Sequence, residues 1–520
     1  MDFVSDPPIS TKIRKMKERV RWQEPPILAR GIDQTRMVLE DNREESPDFS
    51  FLVIGDSGSG PHRGQNPQRQ IAEQMLAHRD SCRFVLHTGD VIYLVGSSEF
   101  YRKNFIEPYR EFLVGGEKPG QIAYDRMVFN SPILPVPGNH DYYDLPFFYG
   151  LMMQTTLPVR QLLRVQLDLD VGWHGSRQGK AYARAFLDYL KAFDSDEELG
   201  RHLDNHYTAK TDSGRCLRYQ PGSFTRLPNR YYTFRYGGID FFALDSNTFN
   251  APPPLPETRA GDDRRTQLQL RLAELEQQKL QILEAAEKFD SESPEQADER
   301  NDLGARLEQL EEIKLDIEKQ LTSDATTTVD REQLDWLRRR LIESWNTADV
   351  RGRVVYLHHP PYVTEATKWN QAQTLTIRRH LRQVFDAVAE TVGQGLAGRP
   401  LVDLVLTGHA HCLEHLRTGN TGHADANINW VICGGSGFSL RRQRLEGPHL
   451  EEPGDELQHP VAQSLLYVGR SGQGALKRRP YSFLRIDVRD GRPPRFTVRP
   501  FVAEHFKRHW SHSEIEPFEI

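Results

Sequence analysis

Five short polar motifs along the chain carry side chains that can bind metal ions. Their carboxylate, phenol, amide and imidazole groups belong to Asp56, Asp90, Tyr93, Asn139, His140, His358, His409 and His411. Hard or borderline donors of this kind, with no thiol among them, suit iron, manganese or zinc in a catalytic site rather than a structural zinc cage. One Gly-Asp turn or one strand-end histidine would indicate only local structure, but five such motifs together predict a metal centre.

Asp90 is the residue best suited to bridge two ions, because the two oxygens of a carboxylate can each face a different cation. Tyr93 lies three residues later and offers a phenolate, which suits a hard trivalent metal. The segment 89–93 is therefore the centre of the predicted site.

Each motif follows an apolar run that is typical of a strand buried on both faces. The runs are 49–54, 84–86, 133–136, 354–357 and 401–406. Helical patterns alternate with them, and further strands are predicted at 231–234, 239–245, 429–433, 464–468, 481–488 and 495–501. In an α/β fold, ligands bind at the carboxyl ends of the strands. The predicted class is therefore an α/β sandwich with the motifs gathered at one edge.

The remaining segments divide the chain. The predicted core occupies 48–263 and 322–505, and residues 506–520 form a C-terminal tail. Residues 1–47 are rich in charge and proline without a sustained period, which predicts a loosely attached extension. Residues 145–225, with helical patterns at 159–169 and 179–193, are either a cap over the site or a surface insertion.

Residues 264–321 carry two heptad segments on either side of a short polar break. Apolar residues recur at alternating spacings of four and three, interrupted once in each segment, by Lys279 and by Lys314. The pattern predicts an inserted antiparallel helical hairpin, a coiled coil. Both ammonium groups should leave the interface toward glutamates such as Glu276 and Glu311. The hairpin is either a solvent-facing helix pair or a docking arm for a protein partner, and its place between strands predicts that it lies away from the site.

Composition excludes several classes of protein. The 520 residues are 38% hydrophobic and 27% charged with a net charge of −6, which fits a globular protein without a surface for nucleic acid. No apolar run approaches the roughly 18 residues of a membrane-spanning helix. The amino terminus lacks a positively charged start before an apolar core, so a cytoplasmic location is expected. The four cysteines lie too far apart to suggest a disulfide scaffold or a zinc ribbon.

The order of the motifs resembles that of the calcineurin-like metallophosphoesterases. The motifs are GDSG at 55–58, GDVIY at 89–93, GNHD at 138–141, VYLHHP at 355–360 and GHAH at 408–411. Most of that superfamily has histidine two residues after the first aspartate, where this chain has Gly58. In the purple acid phosphatases the tyrosine of GDxxY takes over that role, and Tyr93 stands at its position here. The chain therefore resembles the purple acid phosphatase branch, which implies a four-layer α/β/β/α sandwich.

The resemblance implies a centre of two metal ions that hydrolyses phosphate esters. The first ion would be held by Asp56, Asp90, Tyr93 and His411. The second would be held by Asp90, Asn139, His358 and His409. By family similarity the first ion is Fe(3+) and the second is Fe(2+), Zn(2+) or Mn(2+). His140 is assigned as the general acid for the leaving alkoxide or as a hydrogen-bond donor to the phosphate, with support of its neighbouring ligands as the alternative.

The residues that would contact substrate depart from the family pattern. His359 stands at a variable position beside His358, and we assign it a weak substrate contact. Many purple acid phosphatases carry further histidines in the region where this chain has Thr367 and Lys368. Lys368 either holds a phosphate as a point charge or is a solvated lysine.

The preferred function is a phosphomonoesterase, similar to an acid phosphatase, that acts on a phosphorylated small molecule. A phosphodiesterase or nucleotide hydrolase would use the same motifs and differ in the shape of its pocket. A protein from another class, a scaffold that works through the helical hairpin, would be expected to have lost metal ligands, and this chain has lost none of them.

Overall fold

Two β-sheets pack face to face in the computed structural model of the chain, which describes residues 4–59, 65–144, 175–287, 294–453, 458–473, 476–507 and 509–520. The strands are β1 Ile32–Leu39, β2 Phe49–Ile54, β3 Val85–His87, β4 Ile133–Pro135, β5 Ala209–Thr211, β6 Gly214–Tyr219, β7 Tyr232–Tyr236, β8 Ile239–Ala243, β9 Gly352–Tyr356, β10 Leu404–Thr407, β11 Leu413–Thr418, β12 Asn429–Cys433, β13 His449–Pro453, β14 Gln458–Val468, β15 Arg478–Arg489, β16 Arg495–Phe506, β17 His509–Glu514 and β18 Phe518–Glu519.

Nine α-helices lie within the described residues. They are α1 Ile9–Arg19, α2 Pro25–Leu28, α3 Pro67–Arg79, α4 Lys180–Phe186, α5 Asp196–His206, α6 Arg259–Glu287, α7 Pro294–Thr322, α8 Arg331–Asn346 and α9 Ala372–Val392. In this part of the chain, none of the helices combines the length and apolar character that crossing a bilayer requires.

Strand order explains why the polar motifs meet. The larger sheet has the order β13-β14-β11-β12-β10-β9-β8-β7-β1-β6-β5, and the smaller has β17-β16-β15-β2-β3-β4, with β18 paired to β16. β9 and β10 are parallel neighbours in the larger sheet, and β2, β3 and β4 are parallel neighbours in the smaller one. Parallel neighbours have their carboxyl ends at the same edge, so the residues that follow each of these strands lie close together.

Aromatic side chains fill the space between the two sheets. Phe51 and Phe84 contact Phe241 of β8 edge to face, with ring centroids 5.5 and 5.3 Å apart. On the outer face of the larger sheet, α8 and α9 bury residues such as Leu337 and Phe385. α3 covers the smaller sheet against β15 and β16. The layers are therefore helix, sheet, sheet and helix, which confirms the predicted four-layer α/β/β/α fold.

Residues 4–47 are built into the fold, so the prediction of a loosely attached extension is wrong. α1 buries Met16, and Val20 immediately after it is buried as well. β1 lies within the larger sheet between β7 and β6. The sequence pattern was weak because α1 also buries a charged residue, Lys12, whose ammonium group pairs with Asp6 at 2.5 Å. Its inward face is therefore not uniformly apolar.

The predicted C-terminal tail, 506–520, also belongs to the fold. β17 and β18 both pair with β16 at the edge of the smaller sheet. β17 is mostly exposed, so its sequence lacks the alternation of apolar and polar residues that indicates a half-buried strand.

The described part of 145–225 continues the sandwich rather than covering its end. Residues 180–186 form α4, which is shorter than the helix predicted at 179–193 and buries Tyr182 and Phe186. β5 and β6 extend the larger sheet beyond β1. The helix predicted at 159–169 lies outside the described residues.

Two long helices, α6 and α7, occupy the segment for which a hairpin is predicted; we refer to them as the helix pair α6–α7. Their shared apolar contacts involve Leu268, Leu275, Ile282, Leu307, Leu310 and Ile317. Lys279 pairs with Glu311, and Lys314 pairs with Glu276. Of these residues, the one that comes first in α6, Glu276, pairs with the one that comes later in α7, Lys314. The two helices are therefore antiparallel. The two lysines contact glutamates as predicted, but their side chains stay buried between the helices instead of leaving the interface.

The buried position of Met16 gives a test of the N-terminal segment. Met16→Ala removes a fully buried side chain and should lower the free energy of unfolding by about 2–5 kcal/mol. Leu28→Ala is the matched control, because Leu28 is 57% exposed and its loss should change the free energy by less than about 0.5 kcal/mol. Urea unfolding measures both. Equal, small effects would show that α1 is not packed on the core.

Candidate metal centre

Three of the five motif turns hold a non-glycine residue in the left-handed backbone conformation. The φ angles of Asp56, Asp90 and His409 are +53°, +55° and +64°. A residue in this region costs about 1–3 kcal/mol and persists only where its surroundings impose it. All three follow strand ends at the shared edge of the sheets. Backbone strain is therefore concentrated where the sequence predicts the ligands.

The hydroxyl of Tyr93 is the meeting point of the first group of predicted ligands. It lies 2.7 Å from Asp90 Oδ2, 2.9 Å from Asp56 Oδ1 and 3.1 Å from His411 Nε2. His411 Nε2 is also 3.5 Å from Asp56 Oδ1. Ligand atoms at neighbouring corners of a coordination sphere with bonds of about 2.1 Å lie about 3.0–3.4 Å apart. These four side chains therefore fit around one ion.

A second group meets the first at Asp90. His358 Nε2 lies 3.3 Å from Asp90 Oδ2 and 2.8 Å from Asn139 Oδ1. The ring of His409 lies 5.0 Å from that of His358, and its buried Nδ1 has no hydrogen-bond partner among the described residues. An unpartnered imidazole nitrogen in the interior is a natural metal ligand. The second predicted set also fits an ion, with Asp90 Oδ2 shared between the two groups.

Backbone carbonyl groups fix the orientation of two of the histidines. His358 Nδ1 lies 2.9 Å from the carbonyl oxygen of Thr88, and His411 Nδ1 lies 2.9 Å from that of Ser439. A carbonyl oxygen only accepts, so in each ring Nδ1 carries the proton and donates it. Nε2 is therefore the nitrogen that faces the carboxylates and that a metal ion would bind, which is the usual arrangement of a metal-binding histidine.

Glycine at position 58 is imposed by the close approach of another strand end. A Cβ at Gly58 would lie 2.0 Å from the carbonyl oxygen of Val91, so no side chain fits there. The carbonyl group of Gly58 instead accepts hydrogen bonds from the backbone N–H of Tyr93 and from Asn104 Nδ2, both at 3.0 Å. The position at which most of the superfamily has histidine therefore holds Tyr93 in place in this chain.

Burial and neighbouring charges set the ionisation of the acidic groups at the site. Burial raises the pKa of Asp56 to about 8, with the Asp90 carboxylate adding to the rise and His358 opposing it. Burial would also raise the pKa of Asp90, but the neighbouring His358 and His140 lower it. Burial and both carboxylates raise the pKa of Tyr93 well above its ordinary value. A cation among these oxygens would reverse the rises for Asp56 and Tyr93, because it favours the ionised form of each.

His140 lies beside the first group with one nitrogen anchored. Its backbone N–H donates to Asp90 Oδ1 at 2.9 Å, and Nδ1 donates to the carbonyl oxygen of Leu94 at 2.5 Å. Nε2 has no hydrogen-bond partner among the described residues and lies 3.6 Å from Glu308 Oε1. Burial lowers the pKa of His140, and the Asp90 carboxylate opposes this effect. The imidazole is therefore held with Nε2 as its free end.

His359 and Lys368, the two predicted substrate contacts, both lie at the site. The ring of His359 is 4.5 Å from that of His409, and its Nδ1 is 2.8 Å from the hydroxyl of Ser246. Lys368 is buried, with Nζ 2.9 Å from His409 Nε2 and 2.7 Å from a carboxylate oxygen of Glu312. The structure thus excludes the alternative that Lys368 is a solvated lysine.

Three further charged residues at the site were missed by the sequence reasoning. Arg441 lies 3.1 Å from Glu308, and both Glu308 and Glu312 are buried beside the predicted ligands. Both glutamates belong to α7, so the prediction that the inserted segment lies away from the site is wrong. Glu308 and Glu312 are one helical turn apart and form an acidic face. From the sequence alone such a face is expected to be solvated, because the sequence does not show where α7 packs. Arg441 follows β12 in a loop without a motif.

Comparisons with known proteins give matches in structure only. No family model matches the chain, and no curated protein matches it in sequence. Among solved structures, purple acid phosphatase PPD1 from yellow lupin seeds has 11% identity over 91% of this chain and a TM-score of 0.41. This chain covers 54% of the lupin protein, or about half of its length.

Two more matches have the same low identity. PhoD has 11% identity over 92% of this chain and 70% of its own, with a TM-score of 0.38. GAP50, the anchor in the inner membrane complex of Plasmodium, has 11% identity over 88% of this chain and 84% of its own, with a TM-score of 0.35.

The shared position of Asp90 makes it the first residue to test. Asp90→Asn removes the charge between the two groups and should reduce the bound metal from about two ions per chain to less than one. Asp80→Asn is the control, because Asp80 is an exposed residue whose carboxylate pairs with the neighbouring Arg79. Metal content is measured by mass spectrometry of the purified proteins. A variant at position 90 that keeps its full metal content would contradict the assignment.

Proposed function

We propose that the chain is a metal-dependent phosphoester hydrolase with a preference for phosphomonoesters. One observation carries the proposal: the Tyr93 hydroxyl, Asp56, Asp90 and His411 meet within hydrogen-bond distance, with the His358 group sharing Asp90. When bound, a pair of ions in these groups would polarise a phosphoryl group and lower the pKa of an attacking water molecule. The order of the motifs along the chain supports the same reaction.

The proposed ligand sets follow the two groups. Asp56, Asp90, Tyr93 and His411 would hold the first ion, and Asp90, Asn139, His358 and His409 the second. A phenolate favours a hard trivalent cation, so we propose Fe(3+) in the first set and Fe(2+), Zn(2+) or Mn(2+) in the second. Backbone carbonyl groups orient His358 and His411 before substrate binds, so these two ligands need not rearrange.

His140 is the proposed proton donor to the leaving oxygen. Nδ1 is engaged with the carbonyl oxygen of Leu94, so only Nε2 is free to transfer a proton. Because burial lowers the pKa of His140, the protonated form is present mainly at acidic pH. Hydrolysis that depends on this proton should therefore fall as pH rises through the His140 pKa.

The substrate class follows from the cations beside the centre. Lys368 and Arg441 supply two positive charges that suit the dianionic phosphate of a monoester better than the monoanion of a diester. A screen of aryl and alkyl phosphomonoesters, diesters and nucleotides with the metal-loaded protein tests this choice. Faster turnover of diesters would favour the phosphodiesterase or nucleotide hydrolase. A protein partner of the helix pair α6–α7 stays a prediction.

Ferric iron bound to Tyr93 predicts a visible absorption band. Tyr93→Phe should abolish this phenolate-to-iron band, because phenylalanine has no oxygen to bind the metal. Tyr101→Phe is a matched control, since Tyr101 is a buried tyrosine that packs against Tyr124 and Phe186. Absorption spectra of protein purified with its iron give the answer. A colourless wild-type protein would refute the ferric assignment even if it hydrolyses phosphate esters.

The role of His140 predicts a dependence on the leaving group. His140→Gln should reduce kcat for an alkyl phosphate by about 10²–10⁴-fold, since a poor leaving group needs the proton. The same variant should change kcat for 4-nitrophenyl phosphate much less, because nitrophenolate leaves without protonation. Steady-state kinetics with both substrates provides an internal control. An equal loss for both substrates would indicate that His140 supports its neighbours instead.

A further inference from the structure

The predicted metal centre is closed to solvent, and the helix pair α6–α7 forms part of the wall that closes it. The predicted ligands are no more than 2% exposed, and His140 and His359 are buried to the same extent. α7 contributes Glu308 and Glu312 to the wall of the site. Glu308 Oε1 lies 3.6 Å from His140 Nε2, the atom from which a proton would leave. Because the ligands are buried and α7 lines the site, a phosphate ester reaches them only if part of this wall moves.

Glu308 and Glu312 both bind cations of the body of the protein. Glu308 Oε2 accepts from Arg441 Nη2 at 3.1 Å, and Glu312 Oε2 accepts from Lys368 Nζ at 2.7 Å. Lys368 also contacts His409, a predicted ligand. Carboxylate and phosphate oxygens make the same charge-assisted hydrogen bonds with such cations. Arg441 and Lys368 are thus occupied by carboxylates at the place where a phosphate group beside the metal ligands would need them.

The arrangement of charge favours this interpretation over a third metal ion. His140 Nε2, Glu308 Oε1 and Glu312 Oε1 lie close enough to bind an ion, and each lacks a hydrogen-bond partner among the described residues. However, two carboxylates that already face an arginine and a lysine carry no excess negative charge for another cation. Oxygen Oε1 of each glutamate is left free because Oε2 holds the ion pair.

The helix pair α6–α7 has an apolar core of its own. Its buried leucine and isoleucine side chains form a cluster separate from the two cores of the sandwich. Its contacts with the body are both polar and apolar. Asp316 accepts from the backbone N–H groups of Ala372 and Gln373 at 3.0 Å, and Lys319 pairs with Asp6 at 2.7 Å. Leu315 packs against the small apolar cluster of Val95 and Tyr143. A unit that keeps its own core can separate from the body without unfolding.

We propose that the helix pair α6–α7 is a lid that closes the centre by placing Glu308 and Glu312 on Arg441 and Lys368, the cations that bind the phosphate of the substrate when the lid opens. This inference rests on the proposed function, because it assigns those two cations to a phosphate ester. Burial raises the pKa of Glu308, and Glu312 adds to the rise although Arg441 opposes it. Desolvation of a buried ion pair offsets much of its Coulombic attraction, so the two pairs hold α7 weakly and the closed lid is reversible.

The test compares phosphate binding by metal-loaded protein with and without the two carboxylates. Glu308→Gln with Glu312→Gln keeps the size of both side chains and removes their charge. The variant should bind inorganic phosphate about tenfold more tightly or better, because neutral amides compete less for the cations and the open form is more populated. KM for 4-nitrophenyl phosphate should fall by a similar factor. Calorimetry measures phosphate binding, and metal analysis and circular dichroism check the centre and the fold.

Further variants distinguish opening of the lid from a general effect of removing negative charge from α7. Glu318→Gln removes a charge from the same helix at a residue that pairs with Lys314, and phosphate binding should stay at the wild-type value. Asp316→Asn with Lys319→Gln loosens the attachment of the lid outside the site, and phosphate should bind more tightly, as in the double glutamine variant. Adding Lys368→Met to the double glutamine variant should weaken phosphate binding about tenfold.

Unchanged or weaker phosphate binding by the variant with Glu308→Gln and Glu312→Gln would overturn the proposal that α6–α7 is a lid. A loss of metal from that variant would also overturn it, since the glutamates would then be ligands. If the wild type hydrolyses esters and the double glutamine variant binds phosphate no better, the lid fails while the hydrolase stands. If phosphate binds more tightly to the variant but no ester is hydrolysed by either protein, the lid stands and the proposed hydrolase fails.

Discussion

The arrangement of the site depends on keeping two carboxylates and a phenol together in the interior of the protein. Asp56 and Asp90 both lie within 3 Å of the Tyr93 hydroxyl, and neither carboxylate is exposed to water. Such a group of oxygens is unfavourable unless positive charge is supplied. The imidazoles around it, the strained turns at the strand ends and the parallel order of the strands all hold this group in place. A pair of cations among these oxygens would stabilise their ionised forms.

Those parts of the site that follow directly from strand ends could be predicted from the sequence. Each apolar run is short and ends in a glycine or a polar residue, so both the strand and the position of its ligand are visible locally. Asp56, Asp90, Asn139, His358 and His409 are of this kind. The combination of glycine at position 58 with tyrosine at position 93 could also be recognised in the sequence. The structure adds the steric reason for the glycine, which is the close approach of Val91. The two layers of sheet were implied by the resemblance of the motifs to the metallophosphoesterases.

Contacts that depend on how distant segments dock could not be predicted. Glu308 and Glu312 look like ordinary solvated residues on a long helix, because a heptad pattern reveals the partner helix but not the surface that the pair covers. Lys368 was similarly ambiguous until Glu312 and His409 were seen around it. The prediction for the N-terminal segment was wrong for another reason. The segment buries Lys12 against Asp6, and a buried ion pair breaks the apolar periodicity on which the prediction of helices depends.

Asp6 connects α1 to the helix pair α6–α7 through two ion pairs. Its carboxylate pairs with Lys12 of α1 on one side and with Lys319 of α7 on the other, and it is almost completely buried. The two lysines repel each other, so both rely on this one carboxylate to remain where they are. An affinity tag placed ahead of residue 6 would lie next to this junction. A tag at the carboxyl terminus would leave this junction as the structure has it.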